Sequence, residues 1–166
     1  MMQAAAQSLT HTRQGRNTSA EFLTALIKAT EDLIKPYALS LLRVVLPKAS
    51  DTQPTVSRYM VECIGLLAIV GGEEFVPHIP EIMKVLLAIL QDPQTPPSKR
   101  DAALVTLGQV CANTAYVIEP LMDHPELFSI FSRMLKTDTT AETRQEVLRV
   151  LGILGAVDPY VRRKVS

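Results

Sequence analysis

Three Pro-anchored segments restart one apolar pattern along this chain: Lys35-Pro36-Tyr37, Ile79-Pro80-Glu81 and His124-Pro125-Glu126. Counting from each Pro, positions +2, +5, +6, +9 and +10 are apolar throughout. They are Ala38, Leu41, Leu42, Val45 and Leu46 in the first segment and Ile82, Val85, Leu86, Ile89 and Leu90 in the second. In the third they are Leu127, Ile130, Phe131, Met134 and Leu135. This is the i, i+3, i+4, i+7, i+8 stripe of a helix with one buried face, and it lacks the alternation a strand requires.

A polar turn follows each stripe, at Pro47–Pro54, Gln91–Pro97 and Lys136–Thr140, where Pro and Asp end one helix and prepare the next. The next helix in each case is centred on a glycine: Gly65, Gly108 or Gly152. Positions −4, −1 and +2 around these are again apolar: Val61, Ile64, Leu67; Leu104, Leu107, Val110; Leu148, Leu151, Leu154. Glycine inside a helix costs about 1 kcal/mol relative to alanine, so its return at one repeat position predicts close approach of a neighbouring helix. The glycines are 43 and 44 residues apart. That period belongs to HEAT and armadillo repeats, and the fold class follows: an all-α superhelix of antiparallel helix pairs.

The predicted organisation is the end of a preceding repeat over residues 1–30, with its helix at about 18–30, then repeats at 31–72, 73–117 and 118–160. Residues 161–166 begin a following linker. Thr24 takes the glycine position in the partial repeat, and Gly155-Ala-Val-Asp-Pro-Tyr160 closes the last helix. Both ends are expected to present apolar faces suited to flanking repeats of the same chain.

Composition narrows the functional classes. Lys plus Arg (17) equals Asp plus Glu (17), without the basic excess of a nucleic-acid binder. The longest apolar run, near Cys63–Val70, falls well short of the roughly 18 residues of a membrane span. Cys63 and Cys111 lie inside apolar helical patterns and read as buried free thiols of a reducing compartment. The first twenty residues carry Arg13 and Arg16 without acids, a faint likeness to a transit peptide, but an interior helix end and loop is the better reading.

Catalytic chemistry has no foothold. Neither GxGxxG nor GxxxxGK[ST] occurs, and Gly71-Gly72 precedes Glu73-Glu74, which would repel a phosphate, so it reads as a helix stop. His11, His78 and His124 are scattered without a second ligand at metal spacing, and the latter two suit surface or capping positions. Glu31-Asp32 and Glu73-Glu74 suit the positive ends of helices. No catalytic, cofactor-binding or metal-binding residue is therefore assigned. Basic residues precede each central glycine: Arg58, Lys99 with Arg100, and Arg144 with Arg149. They could line a partner-binding face, but pairing with Asp101, Glu142 or Glu146 is the favoured reading.

Several stretches are more specific than a generic repeat: Leu33-Ile-Lys-Pro-Tyr37, Leu104-Val-Thr-Leu-Gly-Gln-Val110, Thr114-Ala-Tyr-Val-Ile-Glu-Pro120 and Arg149-Val-Leu-Gly-Ile-Leu-Gly-Ala-Val-Asp-Pro-Tyr160. Through them residues 16–163 resemble part of the N-terminal HEAT array of the target of rapamycin (TOR) Ser/Thr protein kinases, of the phosphatidylinositol-kinase-related family. Residues 1–15 match poorly. The resemblance implies a scaffold segment of a large cytoplasmic kinase, associated with vacuolar or lysosomal membrane or nucleus only through its complex. It also implies dimeric assembly and accessory subunits such as raptor, with no nucleic acid and no membrane insertion. ATP and Mg would belong to a catalytic domain elsewhere in such a protein. The alternative is a free-standing HEAT adaptor, such as a nuclear transport receptor or phosphatase scaffold, which usually has more regular repeats and stronger acidic or aromatic ladders.

Overall fold

A computed structural model of the chain describes residues 13–116, 119–137 and 140–155. Nine α-helices run through them: α1 (Arg13–Ala29), α2 (Glu31–Ile34), α3 (Ala38–Lys48), α4 (Pro54–Gly71), α5 (Ile79–Gln91), α6 (Pro97–Asn113), α7 (Glu119–Asp123), α8 (Glu126–Lys136) and α9 (Ala141–Gly155). Two 3-10 segments, Lys35–Tyr37 and Gly72–His78, complete the set, and no strand occurs among the described residues. The expected residues 161–166, the closing turn at 156–160 and His11 lie outside them.

Helices α3/α4, α5/α6 and α8/α9 form the pairs, each packing within itself. Of the fifteen stripe positions on the first helices, twelve are buried. The others, Leu46, Val85 and Leu135, pack partly buried against the same cluster. The prolines occupy different places at the starts of the first helices. Pro36 sits in the 3-10 turn before α3, Pro80 in the first turn of α5, and Pro125 caps α8. The segments entering the first helices are thus short helical turns, which carry too few residues to show a periodicity of their own.

The turns leading to the second helices are organised by local side-chain bonds. The Asp51 carboxylate accepts the Gln53 amide at 2.8 Å, and Asp92 accepts the Gln94 amide at 2.9 Å. Thr140 accepts the Thr143 amide at 3.1 Å where α9 begins. Pro54 and Pro97 then open α4 and α6, where a missing amide hydrogen costs nothing. The α4 C-terminus closes on Gly72, with φ of 55°, whose amide reaches the Ala68 carbonyl as the Gly71-Gly72 pair predicts.

Stacking from pair to pair runs chiefly through one layer, α1–α4–α6–α9. The glycine positions are where this layer is tightest. A Cβ on Gly65 would collide with the Gln109 side chain of α6 and come within 3.2 Å of Thr106 Oγ1. One on Gly108 would lie 3.0 Å from Arg149 Nη2, 3.3 Å from Ile153 Cδ1 and 3.4 Å from Val150 Cγ2, all on α9. At the next position outward, a Cβ on Gly152 would meet nothing within 4 Å. Thr24 stands in for glycine on α1: it is buried, donates to the Ala20 carbonyl at 2.8 Å, and its hydroxyl lies 3.3 Å from Cys63 Sγ of α4. Polar bonds follow the same layer. Thr106 donates to the Val61 carbonyl at 2.9 Å, and Thr143 to Asp101 at 2.9 Å. Among the first helices, Arg133 reaches the Leu90 carbonyl at 3.2 Å.

One apolar column breaks ranks. Val61, Ile64, Leu67, Leu104, Leu107, Val110 and Leu154 are buried, but Leu148 is 59% exposed and Leu151 only partly buried. Periodicity tells which face of α9 is apolar; it cannot supply the helix that would cover it.

Candidate functional site

A groove of about 330 Å³ lies between α1, α4 and α6 of the second-helix layer. Leu66, Ala102 and Val105 line it with apolar surface, and Lys28, Glu62 and Asp101 bring charge to it. Glu62 and Asp101 are already engaged. Glu62 accepts Arg58 Nη1 at 3.1 Å, one helical turn away, and the Arg58 guanidinium sits 4.4 Å above the Tyr59 ring. Asp101 accepts the Thr143 hydroxyl of α9, while Arg100 Nε stays 3.9 Å away, beyond hydrogen-bond reach. The groove has the chemistry of a surface that holds another side chain, with no group activated to attack one.

Of the basic residues before the glycines, Arg58 and Arg149 are paired. Arg149 Nε binds Glu146 at 2.9 Å, and that bond raises the already high pKa of the guanidinium. Arg100 approaches Asp101, as expected, whereas Arg58 finds Glu62, a partner the sequence reading did not name. The missed signal was the i, i+4 spacing of Arg58 and Glu62 on a helix.

Neither thiol is poised as a nucleophile. Burial pushes Cys63 and Cys111 up to about 12, and the Thr24 hydroxyl offsets only part of this at Cys63. His78 is half-buried at the N-terminus of α5 but makes no capping bond through its side chain, so only its surface role holds. His124 Nδ1 lies 3.7 Å from Glu126. Tyr116 donates to Asp123 at 2.6 Å; burial first, then that bond, raises its pKa.

ATP with Mg, implied for the resembled kinases, does not fit these residues. Glu73 and Glu74 follow the only paired glycines, and no three His, Cys, Asp or Glu side chains converge among the described residues. Among the same residues no helix is long and apolar enough to cross a membrane. The groove itself was not legible in the sequence, because Lys28, Glu62 and Asp101 come from three different helices with no common spacing.

Comparison with known proteins gives consistent matches. The family model described as the Serine/threonine-protein kinase mTOR domain matches residues 117–166. Serine/threonine-protein kinase TOR2 of Saccharomyces cerevisiae is 40% identical over 151 residues, covering 91% of this chain and 6% of that protein. Serine/threonine-protein kinase tor1 of Schizosaccharomyces pombe is 41% identical over 146 residues, covering 87% of the chain and 6% of its own length. Serine/threonine-protein kinase TOR of Arabidopsis thaliana is 35% identical over 154 residues, covering 90% and 6%. The chain thus spans about 6% of the length of these relatives.

Proposed function

The chain belongs to the target of rapamycin (TOR) family of Ser/Thr protein kinases, and on that premise we propose that it is a scaffold segment of such a kinase. In this reading it supports assembly of the kinase complex in the cytoplasm and helps dock accessory subunits such as raptor, within a dimeric particle that serves nutrient and growth signalling. The phosphoryl-transfer machinery, with ATP and Mg, belongs to another part of the full-length protein. Among the described residues no cluster of three His, Cys, Asp or Glu side chains meets its need for metal-holding carboxylates.

The observation that carries this reading is the continuous core. Buried side chains from Ala20 to Leu154 join one cluster that passes through every helix pair. Such a core makes a stiff spacer whose geometry is set by nearest-neighbour contacts, and a stiff spacer is what a large assembly needs between its binding surfaces. The relatives reported above are kinases by name, which favours this reading over a free-standing adaptor.

The test places Leu107→Asp in a full-length TOR kinase. Leu107 is fully buried on α6, and an unpaired carboxylate there should unfold the pair α5/α6. Co-purification of accessory subunits and phosphorylation of recruited substrates should fall. Phosphorylation of a short peptide by the isolated catalytic portion, which lacks this segment, should match that of the unmutated preparation. Full assembly despite unfolding of this segment would refute the scaffold role.

A further inference from the structure

The groove between α1, α4 and α6 sits beside a glycine. Thr106 and Gln109, whose side chains a Cβ on Gly65 would crowd, both belong to its lining. The next junction, α6 against α9, shows what closes the matching place there. Arg149 stands three residues before Gly152, and its guanidinium lies over Gly108, with Nη2 3.0 Å from where a Cβ would be. On α6 the residue three before Gly108 is Val105, which lines the groove. Its short side chain leaves the α4–α6 junction without the long cation that closes the α6–α9 junction. At about 330 Å³ the groove is at the small end of the roughly 300–1,000 Å³ of ligand pockets, room for one long side chain.

The polar lining is rich in acceptors. Arg58 holds Glu62 through Oε1, and the Thr143 hydroxyl holds Asp101 through Oδ1. The second oxygen of each carboxylate, and the Gln109 Oε1 that lies on Gly65, have no hydrogen-bond partner among the described residues. Of the lining residues only Lys28, exposed in the last turn of α1, is a cation. Arginine has what this surface lacks. Its aliphatic stem covers apolar side chains while its head stays polar, and its guanidinium offers five donors and no acceptor. A carboxylate entering the groove would meet Lys28 but also two groups of its own charge.

We propose that the groove docks an arginine side chain of a partner protein. Its stem packs on Leu66, Ala102 and Val105, and its guanidinium is shared by Glu62, Asp101 and Gln109. Lys28 repels the incoming charge and so limits how tightly the site holds. The proposal rests on the scaffold reading and deepens it by giving the chemistry of one contact. The array would hold a partner much as α6 receives Arg149 from α9.

The test titrates the purified, isotope-labelled chain with the probe peptide acetyl-Gly-Ser-Arg-Ser-Gly-amide and follows NMR shifts. Saturable shifts should appear at the methyls of Leu66 and Val105 and at the Gln109 side-chain amide, and the affinity should fall as salt rises. Peptides with citrulline, which keeps the shape of arginine without its charge, or with Glu in the same place should bind about five-fold or more weakly. Val105→Arg gives α6 its own counterpart of Arg149 and should abolish binding with the other amide shifts preserved. Glu62→Gln/Asp101→Asn should weaken binding about five-fold, which keeps the test independent of how Val105→Arg folds. Lys28→Gln should tighten it. No saturable shift at the groove, equal binding of the citrulline or Glu peptide, or full binding by Glu62→Gln/Asp101→Asn would overturn the proposal. The co-purification result for Leu107→Asp would be unaffected by that failure.

Discussion

Replacing Gly108 by alanine and by leucine separates helix propensity from packing. Alanine in a helix gains about 1 kcal/mol over glycine. Its Cβ would stand 3.0–3.4 Å from the ends of Arg149, Ile153 and Val150, tight contacts against terminal atoms that can give by a few tenths of an ångström. The gain and the crowding nearly cancel, so Gly108→Ala should leave stability within about 1 kcal/mol of the parent. Leucine adds three further carbons where α9 already sits. The chain must then push α9 outward or adopt strained rotamers, at a cost of about 1–3 kcal/mol. Gly152 is the internal control. A Cβ there meets nothing within 4 Å, so Gly152→Ala and Gly152→Leu should both stabilise by up to about 1 kcal/mol. Urea unfolding of all four variants, with slopes compared alongside midpoints, reads the differences. Equal effects of leucine at positions 108 and 152 would refute the claim that the repeated glycine exists to admit the next helix.

Three further outcomes follow. Both buried thiols have folded pKa values raised from 9.0 to about 12, so over that interval the unfolded chain releases protons that the folded chain keeps. Stability should therefore fall as pH rises from 9 to 12, and thermal melts of Cys63→Ala/Cys111→Ala should show a weaker decline; an identical decline would exclude the thiols as its source. Thr106→Val removes the buried bond to the Val61 carbonyl between α6 and α4 and should cost about 0.5–1.5 kcal/mol in the same urea assay, whereas no loss would show the bond is unimportant. The outward face of α9, with Leu148 59% exposed, should make the chain self-associate at high concentration, and Leu148→Lys should shift light-scattering masses toward the monomer.

The parts of the fold most legible in the sequence were those set by helical periodicity and by steric exclusion. The stripe Leu127, Ile130, Phe131, Met134 is buried as spaced, and Gly65 and Gly108 lie against the next second helix. Both signals are local, and repetition amplifies them. Leu148 was misjudged because burial depends on a neighbour and periodicity on the helix alone. The helical form of the turns before α3, α5 and α8 escaped for want of length. The groove over Leu66 and Val105 escaped because its charged lining gathers from three helices, and Glu62 in particular is held by Arg58, four residues away on its own helix. The pairing of Arg149 with Glu146 was readable from their i, i+3 spacing.

The glycine contacts also set an angle. α4 and α6 meet along much of their length, while α3 and α5 barely touch, so successive repeats lean together on one side more than on the other. With helix layers about 10 Å apart, one extra ångström at Gly65 or Gly108 would tilt everything beyond it by about 6°. In a kinase many times longer than this segment, a leucine-sized side chain at such a hinge line would swing distant surfaces by many ångströms. The missing side chains at these positions thus act as the adjusting screws of a long lever.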